Sequence, residues 1–183
     1  MIPEHRIWEY FPTLHTNRLE LRKIHPVDIH EIFAGLSDQR VIQYYGVSFE
    51  TLTQTEEQMD WYESLWKDRT GIWWGICQKG EQQLIGACGF NNYEEVHQKA
   101  ELGYWLIPEY WGRGFASEAL KAIVEFGFEQ MQLHRIEAFV EEGNKVSGRI
   151  LEKFQFIHEG TMRNCEYKNG RFISLMIYAL LKE

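Results

Sequence analysis

The chain has 183 residues, a formal net charge of −8 and three cysteines. This length fits one domain, residues 1–183, with a core large enough to fold without disulfides or metal. The cysteines are too few and too scattered for a disulfide framework, and no Cys-x-x-Cys pair indicates a zinc site. No apolar run reaches the ~18 residues of a membrane span, and Met1–Arg6 lacks the basic and apolar regions of a signal peptide. We therefore expect a cytoplasmic protein that binds neither metal nor membrane.

The acidic balance argues against nucleic acid as a partner, because Lys and Arg side chains supply most of the affinity for phosphates. No Lys-rich or Arg-rich stretch alters that expectation. A cationic partner is compatible with the charge, but a negative charge also serves simply to keep a protein soluble. The charge alone leaves both interpretations open.

The N-terminal part is predicted to form one strand and two helices. Leu19–Arg22 alternates between apolar and polar residues, which predicts a strand, and the apolar spacing over Ile29–Leu36 predicts an amphipathic helix. Thr55–Gln58 has the spacing of a capping box and is predicted to begin the second helix. The outer face of that helix is acidic, with Glu56, Glu57, Asp60 and Glu63.

The middle of the chain is predicted to form a β-meander. Three apolar runs, Ile72–Gln78, Leu84–Phe90 and Ala100–Ile107, have the length and composition of strands. Turns are predicted at Lys79-Gly80 and at Asn91-Asn92, between these runs.

The C-terminal part alternates between helices and strands. Ala116–Gly127 carries a helical apolar stripe, Arg135–Val140 is a short strand, and Asn144 is a good N-cap for a further helix. Asn169-Gly170 predicts a hairpin whose last strand, Phe172–Leu181, is apolar on both faces and therefore central in its sheet. The predicted order is βααβββαβαββ, an α/β fold with a mixed sheet.

The stretch from Glu101 to Glu118 is the most informative part of the sequence. A strand enters a loop with Gly112 and Gly114, which leads into a helix whose first residues are small. Backbone N–H groups in such a loop, together with the helix dipole, bind a pyrophosphate without a basic protein, and Arg113 adds one charge-assisted contact. The Walker and Rossmann patterns do not fit. From the residues alone, a simple strand-to-helix turn and a binding loop are equally supported.

The segment Trp111-Gly112-Arg113-Gly114-Phe115-Ala116 resembles the pyrophosphate loop [Q/R]-x-x-G-x-[G/A] of the GNAT superfamily of N-acetyltransferases. Asn144-x-x-Ser147 follows one β-α unit later. Trp111 replaces the Gln or Arg of the wider family, and Phe154-Gln155-Phe156 replaces the usual Leu-Gly-Phe. Further matches to the RimJ/RimL branch, the ribosomal-protein N-terminal acetyltransferases, are Thr16-x-Arg18-Leu19-x-Leu21-Arg22, Gly103-Tyr104-Trp105-Leu106 and Asn144-x-x-Ser147-x-Arg149-x-Leu151-Glu152-Lys153.

The resemblance implies direct transfer of an acetyl group from acetyl-CoA to an amine, with no side-chain nucleophile and no metal. In such a fold the strand Glu101–Ile107 splays from the strand Arg135–Val140, and the pantetheine arm lies between them. Backbone groups near Leu106 and Ile107 are expected to bind the arm and to polarise the thioester carbonyl. The residues that the resemblance assigns to CoA are Leu106, Ile107, Trp111, Gly112, Arg113, Gly114, Phe115, Ala116, Ser117 and Asn144.

Three residues are candidates for catalysis by resemblance. Ser147 is expected to protonate the departing thiolate, although a serine in the first turn of a helix needs no chemical role. Glu101 and Glu166 are the candidate bases for the attacking amine, against the alternative that both are ordinary surface glutamates. Asn144 is expected near the CoA arm, and its position equally supports a simple helix cap.

The acceptor amine is the least determined part of the prediction. The best expectation is the N-terminal α-amine of a ribosomal or similar protein, and a homodimer is compatible with it. Alternatives are a small cationic amine (a polyamine, an aminoglycoside or an amino-acid-like metabolite) and a non-catalytic CoA-binding sensor. A groove that is open beside the cofactor favours the enzyme, and a groove plugged by Trp73-Trp74 favours the sensor. Aromatic residues expected in segments bordering the acceptor groove are Tyr44, Tyr45, Trp61, Trp66, Trp73 and Trp74.

Overall fold

The computed structural model, which describes residues 7–183, contains one eight-stranded mixed sheet in the order β1-β2-β3-β4-β5-β6-β8-β7. The pair β5–β6 is parallel, and the other neighbouring pairs are antiparallel. The strands are β1 (Leu14–His15), β2 (Leu19–Lys23), β3 (Ile72–Gln78), β4 (Leu84–Glu94), β5 (Lys99–Leu106), β6 (Arg135–Glu141), β7 (Ile157–Lys168) and β8 (Arg171–Leu181). The helices are α1 (Ile29–Ser37), α2 (Gln39–Ile42), α3 (Leu52–Lys67), α4 (Phe115–Glu129) and α5 (Lys145–Lys153).

Met1–Arg6, the segment in which the sequence predicts no signal peptide, lies outside the described residues. Within residues 7–183, no helix is both long enough and apolar enough to cross a membrane.

The sheet separates two apolar cores. Alternation along β3 directs Ile72, Trp74 and Ile76 to one face and Trp73 and Cys77 to the other. Helices α4 and α5 cover the first face, and α1 and α3 cover the second. Both faces of β3 are therefore covered, and its residues 72–77 are buried. Apolar side chains of β5 are likewise shared between the two cores.

Most of the predicted element order is confirmed. The last strand, β8, lies between β6 and β7, as its two apolar faces predict. The hairpin turn at Asn169-Gly170 has positive φ at both residues, 50° and 80°, which is the geometry that favours Asn-Gly in two-residue turns.

The predicted start of the second helix is wrong by one turn. Thr51 is the N-cap of α3: its Oγ1 accepts from the N–H of Gln54 at 3.2 Å, and Gln54 Oε1 accepts from the N–H of Thr51 at 3.2 Å. Thr55 lies inside the helix, fully buried, and donates to the carbonyl of Thr51 at 3.0 Å. The sequence contains two capping-box patterns four residues apart, and tertiary burial of Thr55 selects the first.

The predicted turn at Asn91-Asn92 is also wrong. Strand β4 continues to Glu94, because Asn91 pairs with Glu101 of β5, and the chain reverses at Glu95–His97. The two asparagines therefore belong to a strand, and the side chain of Asn92 donates a hydrogen bond to Glu101.

Candidate active site

The site is built around a gap between two parallel strands. Strands β5 and β6 pair from Lys99↔Arg135 to Glu101↔Glu137 and then separate, although β5 continues to Leu106 and β6 to Glu141. A groove of about 1130 Å³ occupies the gap. The expected splay of these strands is thus confirmed.

The two faces of β5 supply different sides of the groove. Trp105 belongs to the core under α1 and α3, whereas Leu102 and Leu106 belong to the core under α4 and α5. By alternation, Glu101 lies on the α3 side and Tyr104 on the α4 side. Both of these polar residues line the groove.

The glycine loop leads directly into the N-terminus of α4. Gly112 and Gly114 have φ of 71° and 80°, conformations that glycine adopts without strain. The first hydrogen bond of the helix runs from the N–H of Glu118 to the carbonyl of Gly114 at 3.0 Å. The N–H groups of the first turn therefore have no acceptor within the helix, and together with the helix dipole they can hold an anion. The groove-lining residues of this segment are Trp111, Gly112, Gly114, Phe115, Ala116 and Ser117.

A clasp from the start of the chain holds this loop in place. The guanidinium of Arg18 donates to Glu118 Oε2 at 2.7 Å and to the carbonyl of Arg113 at 3.0 Å. Burial tends to raise the pKa of Glu118, but hydrogen bonds from Thr16 Oγ1 and from Arg18 outweigh it and hold the pKa below its ordinary value. Sequence reasoning missed Glu118, and the only signal was the Thr16-x-Arg18 motif about 100 residues earlier.

Trp111 and Arg113 take roles in the loop that the sequence did not predict. The indole N–H of Trp111 donates to the carbonyl of Leu106 at 2.8 Å, which fixes the loop against the end of β5. The guanidinium of Arg113 lies 5.6 Å from the ring centroid of Tyr110 and is not among the residues that line the groove. In this structure Arg113 packs on the loop instead of facing the gap.

Leu106 and Ile107 differ in their access to the gap. The N–H of Ile107 donates to the carbonyl of Ile85 on β4 at 2.9 Å, and Ile107 does not line the groove. Because backbone directions alternate along a strand, the N–H and carbonyl of Leu106 point the other way, toward β6. The carbonyl of Leu106 accepts the hydrogen bond from the indole N–H of Trp111. The N–H of Leu106 is thus a backbone donor directed into the gap.

The helix α5 brings a second group of polar side chains to the groove. Asn144 is its N-cap, and its Oδ1 accepts from the N–H of Ser147 at 3.2 Å. The hydroxyl of Tyr104 donates to Ser147 Oγ at 3.0 Å. Burial raises the pKa of Tyr104 above its ordinary value, although the bond to Ser147 acts in the opposite direction. All three residues line the groove.

Both candidate bases line the same groove. Glu101 is half-buried and accepts a hydrogen bond from Asn92 Nδ2 at 2.8 Å. Glu101 also affects another groove residue, Tyr45. The pKa of the Tyr45 phenol is raised well above its ordinary value, mainly by burial and further by the charges of Tyr62 and Glu101. Glu166 reaches the groove from a strand irregularity between Met162 and Glu166 in β7. Such bulges redirect side chains, so the position of Glu166 could not be derived from strand alternation alone.

Four of the six predicted aromatic residues line the groove: Tyr44, Tyr45, Trp61 and Trp73. The other two, Trp66 and Trp74, pack in the core under α4, where the indole of Trp74 donates to the carbonyl of Pro12 at 2.7 Å. The Trp73-Trp74 segment therefore leaves the groove open.

The acidic face of α3 contributes less than expected. Of its four carboxylates, Glu57 lines the groove, whereas Glu63 pairs with Lys23 at 2.9 Å on the surface. Glu56 and Asp60 are exposed away from the groove. Within residues 7–183, the groove is lined by four carboxylates, Glu57, Glu101, Glu141 and Glu166, and also by the cationic side chains of Arg40 and Lys168.

A second cavity of about 950 Å³ adjoins the groove near the β7–β8 hairpin, and Tyr45, Glu141 and Lys168 are among the residues that line both. Lys168 Nζ donates to Glu141 Oε2 at 2.7 Å and to the carbonyl of Gln43 at 2.8 Å. This side chain ties the β7–β8 hairpin to the loop after α2. Within residues 7–183, no group of three or more His, Cys, Asp and Glu side chains is arranged to hold a metal ion.

Comparison with known proteins places this geometry in a family. Residues 18–157 match the model of the acetyltransferase (GNAT) domain. The uncharacterized N-acetyltransferase YoaA of Bacillus subtilis (strain 168) is 39% identical over 173 residues, which cover 94% of this chain and 98% of that protein. The ribosomal protein uS5-alanine N-acetyltransferase of Escherichia coli (strain K12) is 27% identical over 182 residues, which cover 91% of this chain and 89% of that protein.

The fold also matches solved structures of acetyltransferases. The structure of RimL, a ribosomal L7/L12 alpha-N-protein acetyltransferase in complex with coenzyme A, matches with a TM-score of 0.83 and 21% identity, over 93% of this chain and 98% of that one. The glycine loop, the splayed strands and these matches agree, and the chain belongs to the GNAT family of acetyltransferases, in which it is an N-acetyltransferase.

Proposed function

We propose that this protein transfers an acetyl group from acetyl-CoA to the N-terminal α-amine of a ribosomal or similar protein. The observation that carries the proposal is the shape of the site. The groove of about 1130 Å³ runs from the glycine loop to the β7–β8 hairpin, and the cavity of about 950 Å³ continues beyond it. Acetyl-CoA would take the donor half of the groove, and the rest of the groove with the adjoining cavity would leave room for a peptide chain behind the reacting amine.

The donor half of the groove fits acetyl-CoA through backbone groups. The N–H groups at the start of α4 would hold the pyrophosphate, and Asn144 would hold the pantetheine arm. These donors carry no formal charge, so a protein with a net charge of −8 can still bind the polyanion. Arg113 and Ile107 take no part in this proposal, because neither lines the groove.

The chemistry requires few side chains once both substrates are in place. Acetyl-CoA supplies the activated acyl carbon. Glu101 or Glu166 takes the proton of the attacking amine, directly or through water. The N–H of Leu106 donates to the thioester oxygen as negative charge develops there, and the hydroxyl of Ser147 donates a hydrogen bond to the departing sulfur.

An α-amine suits such a site better than a lysine-like amine. The pKa of an α-amine lies near 7.7–8.0, so roughly a tenth of it is neutral at pH 7. An alkylammonium with a pKa near 10.4 is neutral in fewer than about one molecule in a thousand. The α-amine therefore needs little help to become a nucleophile. The uS5-alanine relative, named for a ribosomal protein, supports the same class of acceptor.

A thiol-release assay on a panel of acceptors tests the proposal. The panel contains peptides with a free N-terminus and an internal lysine, the same peptides with an acetylated N-terminus, spermidine and an aminoglycoside. We expect release of CoA with the free peptides and none with the blocked ones. Turnover of the small amines alone would show that the acceptor class is wrong.

Two matched variants identify the base. We expect Glu101→Gln or Glu166→Gln to lower kcat/KM by more than about tenfold, because each replaces a carboxylate with a group that takes no proton. Glu125→Gln, on the outer face of α4, is the control and should keep full activity. If both groove variants lose less than about tenfold, neither carboxylate is the base.

A small cationic amine is the second candidate, and the carboxylates and aromatic rings of the groove favour it. Glu57, Glu101 and Glu166 line the groove together with the aromatic rings of Tyr45 and Trp61. Carboxylates and aromatic faces attract cations of any size. The same panel separates the two candidates, because spermidine would then react faster than every peptide.

A further inference from the structure

Tyr104 and Ser147 form a hydrogen bond that the function described above does not use. Tyr104 lies on β5, and Ser147 lies 43 residues later, at the start of α5. The phenol donates to Ser147 Oγ at 3.0 Å, and the N–H of Ser147 is held by Asn144 Oδ1 at 3.2 Å. Asn144 therefore holds the backbone N–H of Ser147, and Tyr104 holds its hydroxyl.

The phenol restricts where the serine hydrogen can point. A serine hydroxyl has one hydrogen and two lone pairs, and it rotates freely unless a partner selects one orientation. When the phenol donates to one lone pair, the hydrogen of Ser147 has to point away from Tyr104. Burial raises the pKa of Tyr104, so the phenol keeps the hydrogen that it donates.

We infer that Tyr104 is a positioning residue for the transfer reaction, which aims the hydroxyl hydrogen of Ser147 at the departing sulfur in the groove. The inference rests on the proposed role of Ser147. In the step itself, the amine nitrogen forms the new C–N bond and gives its proton to Glu101 or Glu166. The C–S bond breaks and its electron pair stays on sulfur, which Ser147 stabilises by hydrogen bonding until solvent protonates the thiolate. Tyr104 keeps its own proton throughout.

The aromatic ring of Tyr104 has a separate, structural role. It packs against the core under α4. Within residues 7–183, the Ser147 bond is the one hydrogen bond found for its hydroxyl. Tyr104→Phe therefore keeps the packing and removes the single contact on which the inference depends.

A double-mutant cycle tests the inference on the full-length enzyme. Kinetics are measured with acetyl-CoA and the best acceptor of the panel, for Tyr104→Phe, Ser147→Ala and the double variant. We expect Ser147→Ala to lower kcat by about 100-fold and Tyr104→Phe by about tenfold, with the KM for acetyl-CoA changed less than about twofold. The double variant should match Ser147→Ala, because Tyr104 acts only through Ser147.

The outcomes separate this inference from the proposed function. If Ser147→Ala loses activity and Tyr104→Phe does not, or if the two losses multiply in the double variant, the positioning role is refuted and the role of Ser147 survives. If Ser147→Ala keeps full kcat, both roles are refuted. Tyr178→Phe is the matched control, since its hydroxyl lies against Gly148 of the same helix but outside the groove. A loss in that control equal to that of Tyr104→Phe would point to a disturbed helix and refute the inference.

Discussion

Removing the carboxylate of Glu118 should both destabilise the fold and loosen the glycine loop. Glu118 accepts hydrogen bonds from Thr16 Oγ1 at 2.6 Å, from the N–H of Arg18 at 2.7 Å and from the Arg18 guanidinium at 2.7 Å. Hydrogen bonds to charged groups contribute about 1.5–3 kcal/mol each when shielded. The side chain of Glu118 is 18% exposed, but that of Arg18 is 45% exposed, so the ion pair itself adds less than about 1 kcal/mol. Because water can reach the donors that remain, we expect Glu118→Ala to lower the free energy of unfolding by about 2–3 kcal/mol.

Urea unfolding of the wild type and the variant measures this loss. The control is Glu125→Ala on the same helix, whose pair with Lys121 is 3.8 Å long and exposed, so its loss should stay below about 0.5 kcal/mol. The folded pKa of Glu118 lies below its unfolded value, near 4.3, so its stabilisation is fully present above that value. It is lost as the pH falls through the lower folded pKa. The difference in the free energy of unfolding between wild type and variant should therefore be constant from about pH 7 to pH 5 and should become smaller below about pH 4.

Acetyl-CoA should stabilise the Glu118→Ala variant less than the wild type in a thermal shift, since Arg18 also holds the carbonyl of Arg113 in the loop. A destabilisation below about 1 kcal/mol, or one that does not depend on pH between 7 and 3, would refute the account of this clasp.

Three further substitutions test other parts of the structure, each by urea unfolding. Gly103→Ala places a Cβ 2.6 Å from Trp73 Cζ2, so it should cost about 1–3 kcal/mol and change the tryptophan fluorescence; an unchanged spectrum would contradict the packing. Gly114→Ala, at φ 80°, should cost about 1–2 kcal/mol and weaken stabilisation by acetyl-CoA, and a neutral effect would argue against the left-handed conformation. Leu120→Ala removes a side chain that is 1% exposed and should cost about 2–5 kcal/mol with kcat retained below the unfolding transition; a loss under about 1 kcal/mol would contradict its core position.

The order of the elements could be predicted because their signals are local. The apolar spacing over residues 29–36 and the Asn169-Gly170 pair act within a few residues, where side-chain periodicity and backbone φ preferences decide the conformation. The same holds for the glycine loop, in which Gly112 and Gly114 have left-handed backbone conformations. The family resemblance extended these local signals to the chemistry of the donor.

Boundaries failed where two local signals competed. The capping pattern occurs at both Thr51 and Thr55, and only the burial of Thr55 in the packed structure excludes the second. Asn91-Asn92 has the composition of a turn, but pairing of Asn91 with Glu101 keeps it in β4. In both cases long-range packing outweighs a weak local preference.

The sequence by itself determined the family, the donor loop and most of the element order, because each rests on residues close together in the chain. The tertiary structure alone decided which side chains share the groove. It brought Arg18 to Glu118 across 100 positions and Tyr104 to Ser147 across 43, and it placed Glu166, through an irregular strand, on the groove that Glu101 also lines. Distances between residues far apart in sequence depend on how the sheet and helices pack, and no short pattern encodes them. For the same reason the sequence could not show that the Arg113 guanidinium lies 5.6 Å from the centroid of the Tyr110 ring.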